Sequence, residues 1–198
     1  MKSYDFLLAV SVLIFIFSLF SLAGSYGRLL DFMSGHAIEN DSAQVTINVS
    51  KVLLYNFTVL EINWGSGYVY ATQDMATLDT MGQVTNGTWE SVSQGFEVQN
   101  IGNVDLTMNL SSGKSAATFI GGTNPVYQYN VTNVDSGACN PGLGFNLGEF
   151  YNVSVDPSSQ EICSNLDVLK KIRIDIRLVI PIDSFHGNLT DSFSATVS

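Results

Sequence analysis

Charged side chains are scarce in this chain of 198 residues, of which only 13% are Asp, Glu, Lys or Arg. Basic residues are the scarcer kind, because 8 Lys and Arg stand against 18 Asp and Glu and the formal net charge is -10. A surface with this balance repels phosphate backbones and anionic lipid headgroups. Nucleic acid is therefore not an expected partner.

Histidine is nearly absent, with His36 and His186 as its two occurrences. Enzymes need clustered titratable groups, and neither histidine has a Cys, His or carboxylate partner at metal-ligand spacing. The glycine-rich stretches WGSG (residues 64–67) and GGTN (residues 121–124) lack the following helix of a phosphate site and are predicted to be turns. We expect no enzyme activity, metal, cofactor or small-molecule substrate.

Cysteine is limited to Cys139 and Cys163, both in the part of the chain predicted to be exported. An oxidising environment favours their pairing, and a bridge over that loop would stabilise the domain by roughly 3 to 4 kcal/mol. The alternative is a pair of unbonded, buried thiols.

The first part of the chain contains a run without any charge, from residue 6 to residue 23. At ~1.5 Å per residue such a run forms about 27 Å of helix, close to the thickness of a bilayer core. Lys2 and the small residues near Ala23 also fit a cleaved secretory signal, but the apolar run is longer than the usual core of a signal. We expect the run to be retained.

Apolar residues at near-helical spacing follow this run, and we expect the helix to continue to about Ser34 and to end at Gly35. The segment 1–36 is thus predicted to be a hydrophobic helix that serves as a filament core or a membrane anchor. An apolar stripe of this length needs a partner. The residues expected to make that contact are Phe6, Leu7, Leu8, Val10, Val12, Leu13, Ile14, Phe15, Ile16, Phe17, Leu19, Phe20, Leu22, Leu29, Leu30, Phe32 and Met33.

The apolar period changes to two in residues 37–198, which are predicted to form one extracellular domain. In residues 44–50, Val45, Ile47 and Val49 alternate with polar side chains, and residues 106–111 and 171–180 show the same pattern. Turn-rich segments separate these and six further strand candidates, at residues 52–62, 68–71, 95–99, 127–132, 149–155 and 188–197. The fold class predicted is mainly β, an antiparallel Ig-like β-sandwich preceded by a long hydrophobic N-terminal α-helix.

The N-glycosylation pattern Asn-x-Ser/Thr is frequent in this chain. Its 16 Asn and 36 Ser plus Thr would give about three such sequons by chance. The sequence has eight, at Asn40, Asn48, Asn56, Asn86, Asn109, Asn130, Asn152 and Asn188. Composition and ordinary strand preferences are the alternative explanation. The proposed strand register places Asn48, Asn109, Asn130, Asn152 and Asn188 outward, as N-linked glycans require.

Two segments resemble known surface proteins. FEVQNIGNVDLTMNL (residues 96–110) resembles a strand-turn-strand of archaeal surface sandwiches, and residues 176–198 resemble the ending of camelysin- and TasA-like fibre proteins. The layout of an apolar helix before a glycosylated sandwich is similar to that of archaeal pilins and archaellins. If residue 1 is the mature N-terminus, Asp5 stands where type IV pilins carry an acidic residue in the helix. The resemblance implies that the helices of many copies bundle into a filament core.

The function expected from these features is that of a structural subunit of an extracellular filament or pilus at the cell surface. Its partners would be copies of itself, and the membrane before assembly. One alternative is a membrane-anchored adhesin or envelope protein. The other, if the N-terminal segment is cleaved, is a TasA-like fibre in which a freed segment completes the sheet of a neighbouring copy.

Overall fold

The computed structural model of the chain describes residues 10–16, 44–158 and 160–198. The chain divides into two compact units, Met1–Asn48 and Val49–Ser198. In the first unit residues 10–16 are helical. Within the described ranges, no helix has both the length and the apolar character needed to cross a membrane.

The predicted long hydrophobic N-terminal helix is therefore not supported by the structure. Six of the residues assigned to its contact face lie in the helical stretch 10–16, namely Val10, Val12, Leu13, Ile14, Phe15 and Ile16. The other members of that set lie outside the described residues.

The second unit, here called the two-sheet domain, is mainly β and antiparallel. Its described residues form one short helix, α1 (Ala116–Phe119), and eleven strands. The strands are β1 (Tyr55–Phe57), β2 (Met75–Asp79), β3 (Val84–Thr85), β4 (Phe96–Asn100), β5 (Leu106–Ser112), β6 (Val126–Asn133), β7 (Cys139–Pro141), β8 (Tyr151–Asn152), β9 (Glu161–Leu166), β10 (Lys171–Pro181) and β11 (Phe193–Val197).

Seven of these strands form one sheet around β10. One side of β10 pairs with β6, which in turn pairs with β8. The other side is shared by two strands, because β4 pairs with the first half of β10 and β2 with the second half. β1 lies beyond β4 and β3 lies beyond β2. The remaining four strands form the second sheet in the order β11-β5-β9-β7.

The alternation that predicts a strand over residues 171–180 is realised in β10. Ile172, Ile174, Ile176 and Leu178 are buried on one face. They belong to a single hydrophobic cluster that also contains Met108 and other buried residues of the second sheet. The two sheets therefore share one core.

An aromatic side chain of β11 links the two sheets within this core. The ring of Phe193 lies 5.8 Å from that of Phe96 in β4, measured between centroids. The same ring lies 5.7 Å from Tyr127 and 6.4 Å from Tyr129, both in β6. Offset and edge-to-face pairs at these distances add to the free energy gained by burial alone.

The strand predicted over residues 44–50 is wrong. No strand is assigned there, and Val45, Ile47 and Val49 are exposed, with 84% of Ile47 accessible. Alternation reports that a segment has an apolar face, but a strand also needs a neighbour with free backbone groups. No strand within the described residues pairs with this segment.

Four strands were missed by the periodicity argument. β3 and β7 have two and three residues, too few to show an alternation. The register between β9 and β5 shifts twice, which breaks the regular pattern in β9. β2 buries Ala76, Leu78 and Asp79, so its last residues do not alternate.

The two cysteines form a disulfide between neighbouring strands of the four-stranded sheet. Cys139 in β7 and Cys163 in β9 have their Cα atoms 5.5 Å apart and are separated by 24 residues in the sequence. Both side chains are buried. The bridge holds the short edge strand β7 against β9.

Replacing both cysteines with serine should lower the free energy of unfolding by about 3 kcal/mol, because the open chain gains the entropy that the bridge removes from the unfolded state. Denaturant titration of the oxidised wild type and of the Cys139→Ser/Cys163→Ser variant measures the difference. An unchanged denaturation midpoint would contradict the assigned role of the bridge.

Candidate functional site

The predicted glycosylation sites fall into two groups in the structure. Five of the asparagines are exposed, namely Asn48, Asn56, Asn86, Asn152 and Asn188. Asn109 is half-buried in β5, and Asn130 is buried in β6. Asn40 lies outside the described residues. The sequons on internal strands are thus the less accessible ones.

The prediction that Asn130 faces solvent is wrong. Its side chain is only 4% exposed, and its Oδ1 atom has no hydrogen-bond partner among the described residues. It does alternate with the core residues Tyr129 and Val131, as predicted. The outer face of the sheet is itself covered here, because Asp175, the cross-strand neighbour of Asn130, is also buried. A glycan cannot be attached at Asn130 in the folded domain.

A buried polar cluster lies on this outer face, next to Asn130. The Asp175 carboxylate accepts hydrogen bonds from the Thr80 hydroxyl and from Nε of Arg173, both at 2.8 Å. The same guanidinium donates to the carbonyl oxygen of Thr80 at 2.8 Å. The Thr80 hydroxyl also accepts from the Ile176 amide at 2.9 Å.

The cluster fills the gap between β4 and β2 along β10. β4 begins opposite Ile174 and β2 ends opposite Arg177, so that the part of β10 between these two residues would otherwise lack partners on that side. Gly95 lies beside the same gap. A Cβ atom there would lie 2.5 Å from the Ile174 carbonyl oxygen, which is too close for any residue but glycine. These contacts give the cluster a structural role, since each group is engaged in joining strands.

The buried phenols of β6 are held neutral. Burial raises the pKa of Tyr127 above its ordinary value, and the negative charge of Asp191 and a hydrogen bond to it add to the shift. Burial also raises the pKa of Tyr129, with a smaller effect of Tyr151. The hydroxyl of Tyr129 has no hydrogen-bond partner in the described part of the chain. A neutral, enclosed phenol is neither a base nor a nucleophile near pH 7.

Two acidic side chains accept hydrogen bonds from loop residues. Asp183 accepts from the Thr123 amide at 2.9 Å and from the Thr123 hydroxyl at 2.7 Å, and these bonds lower the pKa of its carboxyl group. Asp79 accepts from the Met81 and Gln83 amides in a tight turn. Across residues 10–16, 44–158 and 160–198, no group of His, Cys, Asp or Glu could hold a metal ion.

Exposed apolar segments are the remaining candidates for function. The helical residues 10–16 expose their apolar side chains, and so do Val45, Ile47 and Val49. Large exposed apolar surfaces usually mark contacts with another molecule. The candidate site of this protein is therefore a set of surfaces that another chain or a membrane could cover.

Comparisons with known proteins give no further guide. No protein-family model matches the chain, and no match was found among characterised protein sequences or among solved structures.

Sequence reasoning did not find which sequons lie at sheet edges. Asn56 and Asn152 belong to strands that pair on one side alone. The available signal was the shortness of these strands, since sheet edges are commonly short. Which strands lie at an edge otherwise depends on pairing partners that are far away in the sequence.

Replacing Tyr129 with phenylalanine should leave the free energy of unfolding at neutral pH unchanged or slightly higher, because the buried hydroxyl makes no protein hydrogen bond. Wild-type stability should fall as the pH rises through about 10, where the unfolded tyrosines ionise and the folded ones stay protonated. The Tyr129→Phe variant should lose stability less steeply. Urea titrations at several pH values measure both effects, and a marked loss of stability at neutral pH would show that the hydroxyl has a partner.

Proposed function

We propose that this protein is a structural subunit of an extracellular filament or pilus, which polymerises through its apolar N-terminal helix. The two-sheet domain would be a glycosylated β-sandwich that forms the outer layer of the filament. The observation that carries the proposal is the exposed apolar character of residues 10–16.

Apolar side chains surround this helical stretch. Val12, Leu13 and Ile14 are consecutive and are 49%, 64% and 65% exposed. Consecutive residues of an α-helix point about 100° apart, so these three cover most of its circumference. A helix that is apolar all round is buried in a large assembly or in lipid.

We propose that copies of the same chain cover this apolar helix, in line with the resemblance to archaeal pilins and archaellins. Burying an apolar helix of the predicted length against identical neighbours would remove on the order of 1,000 Å² from water. That area corresponds to about 25 kcal/mol before the costs of ordering. The membrane would hold the helix before assembly.

The two-sheet domain has the properties of an outer layer. Five sequons are exposed on the described chain, and the sequence is poor in charge. Attached glycans would hydrate this surface and protect it from proteases. The polar groups described above serve the fold rather than a reaction, which supports a structural role with N-linked glycans and without a cofactor.

Replacing Leu13 and Ile14 with lysine should abolish filaments, because two charges would have to enter an apolar core of helices. Electron microscopy of sheared cell-surface material from cells that express each variant gives the result. The matched control is Leu143→Lys, at an exposed apolar residue of the two-sheet domain, which should leave filaments intact.

Filaments that persist in the Leu13→Lys/Ile14→Lys variant would overturn assembly through the helix. Wild-type protein that is recovered from membranes only as detergent-soluble monomers, without filaments on the cells, would favour the anchored adhesin instead.

A second candidate is the strand-exchanged fibre, and residues 44–50 are the observation that favours it. They have a strand-like alternation, are exposed, and lie beside no partner strand within the described chain. β11 pairs with β5 alone, but the Ala195 carbonyl on its other side accepts from the Tyr55 hydroxyl at 2.7 Å, a bond that an added strand would have to displace. Neither residues 44–50 nor β11 carries a charge. A segment of one copy could thus extend the four-stranded sheet of the next.

Substitutions on the two faces of residues 44–50 separate the candidates. Ile47→Lys should prevent strand exchange, because the charge would face the core of the neighbour, whereas Thr46→Lys on the opposite face should be tolerated. Filament yield by electron microscopy is the measurement. Equal yields from the two variants would exclude strand exchange and leave the helical contact as the means of assembly.

A further inference from the structure

The seven-stranded sheet has three edges instead of two. β1, β3 and β8 each pair with one neighbouring strand. The backbone N–H and C=O groups on the outer side of such strands can pair with another chain, which leads to aggregation unless they are protected. These three strands contain no lysine and no proline, the residues that commonly protect an edge.

Sequons are present at two of these edges, and another follows β3. Asn56 is the central residue of β1, Asn152 is the last residue of β8, and Asn86 directly follows β3. All three side chains are exposed. Asn86 has a φ of 60°, a conformation that asparagine tolerates better than most residues. Asn56 and Asn152 therefore lie on strands without a second partner, whereas the backbone of Asn86 and Thr88 pairs with residues 68–70.

The local hydrogen bonds are compatible with a glycan at these positions. Oδ1 of Asn152 accepts from Nε2 of Gln128 at 3.1 Å, a bond that does not use the amide nitrogen of Asn152. The backbone carbonyl of Asn86 accepts from the Tyr70 amide at 2.9 Å, a bond that does not involve its side chain. Attachment of a sugar to Nδ2 would preserve both bonds.

The four-stranded sheet differs at its edges. β7 ends at Pro141, which has no N–H to donate, and the disulfide of Cys139 fixes it to β9. β11 has no sequon within its bounds. Asn109, the sequon on a strand of this sheet, lies in the internal strand β5.

We propose that N-linked glycans on Asn56 and Asn152 protect the edges formed by β1 and β8 against pairing with another chain. The role of these glycans rests on the glycosylation put forward above, but not on the formation of filaments. A strand added beside β1 or β8 would place its side chains about 5 Å from the asparagine Cβ atom, within the volume of the first sugars.

The modification is a transfer from an oligosaccharide activated by a lipid phosphate. The Nδ2 atom of asparagine attacks the anomeric carbon, and a C–N bond forms while the bond from that carbon to the phosphate oxygen breaks. The lipid phosphate leaves, and the amide nitrogen gives up one proton to the transferase. Oxidation states do not change.

Glycopeptide mass spectrometry of the full chain, purified from cells that glycosylate Asn-x-Ser/Thr, tests the assignment of sites. We expect Asn56, Asn86 and Asn152 to be occupied and Asn130 to be unmodified. Unoccupied edge asparagines would overturn the proposal.

Paired substitutions test the role of the glycans. Asn56→Gln/Asn152→Gln removes two edge sites, and the control Asn188→Gln removes an exposed site outside the strands. Sedimentation of the detergent-dispersed full chain measures association. The edge variant should associate at a protein concentration about tenfold lower than the control, which corresponds to about 1.4 kcal/mol.

A second variant separates loss of the glycan from loss of the asparagine. Thr58→Ala/Ser154→Ala destroys the same two sequons but keeps Asn56 and Asn152, and it should associate like the edge variant. Equal association of the edge variant and the control would overturn the protective role. Because detergent disperses the apolar helices, this result does not depend on whether the wild type forms filaments.

Discussion

β10 is the strand on which the rest of the two-sheet domain depends. Its eleven residues pair with β6 on one side and with both β4 and β2 on the other. Its inward side chains, among them Ile172 and Ile174, lie in the core shared with the second sheet. Because two strands divide one of its sides, the sheet branches. The branch gives three edges in place of two, and each extra edge is a surface that the protein must protect or use.

The branch also explains a polar cluster that would otherwise be costly. Between β4 and β2, no strand pairs with the backbone of Ile176 on that side. Instead, the Thr80 amide donates to the Ile176 carbonyl oxygen, and the Thr80 hydroxyl accepts from the Ile176 amide. Asp175 and Arg173 complete the contact. A buried ion pair adds little stability over an apolar replacement, but removing one member leaves an uncompensated charge. The cluster therefore specifies where the two strands meet β10 more than it strengthens the core.

Two segments with the same alternation show how far the sequence predicts the fold. Residues 171–180 and residues 44–50 both place apolar side chains at every second position, and only the first segment is a strand. The difference is pairing. Residues 171–180 have neighbours on both sides, whereas residues 44–50 have none in the described chain. Periodicity therefore predicted the mainly β, antiparallel class and the central strand, but it could not predict which apolar face remains without a partner.

The sequons were countable from the sequence, but their accessibility depends on the topology. Asn130 and Asn152 both fall on the outward phase of their strands, yet the first is buried and the second is exposed. β6, which holds Asn130, lies between β10 and β8, whereas Asn152 is in β8 at the edge. An outward phase is thus necessary for an exposed side chain and becomes sufficient only where no further segment covers the sheet. Since the pairing of β10 over long sequence distances sets these edges, local patterns could not reveal which sequons are accessible.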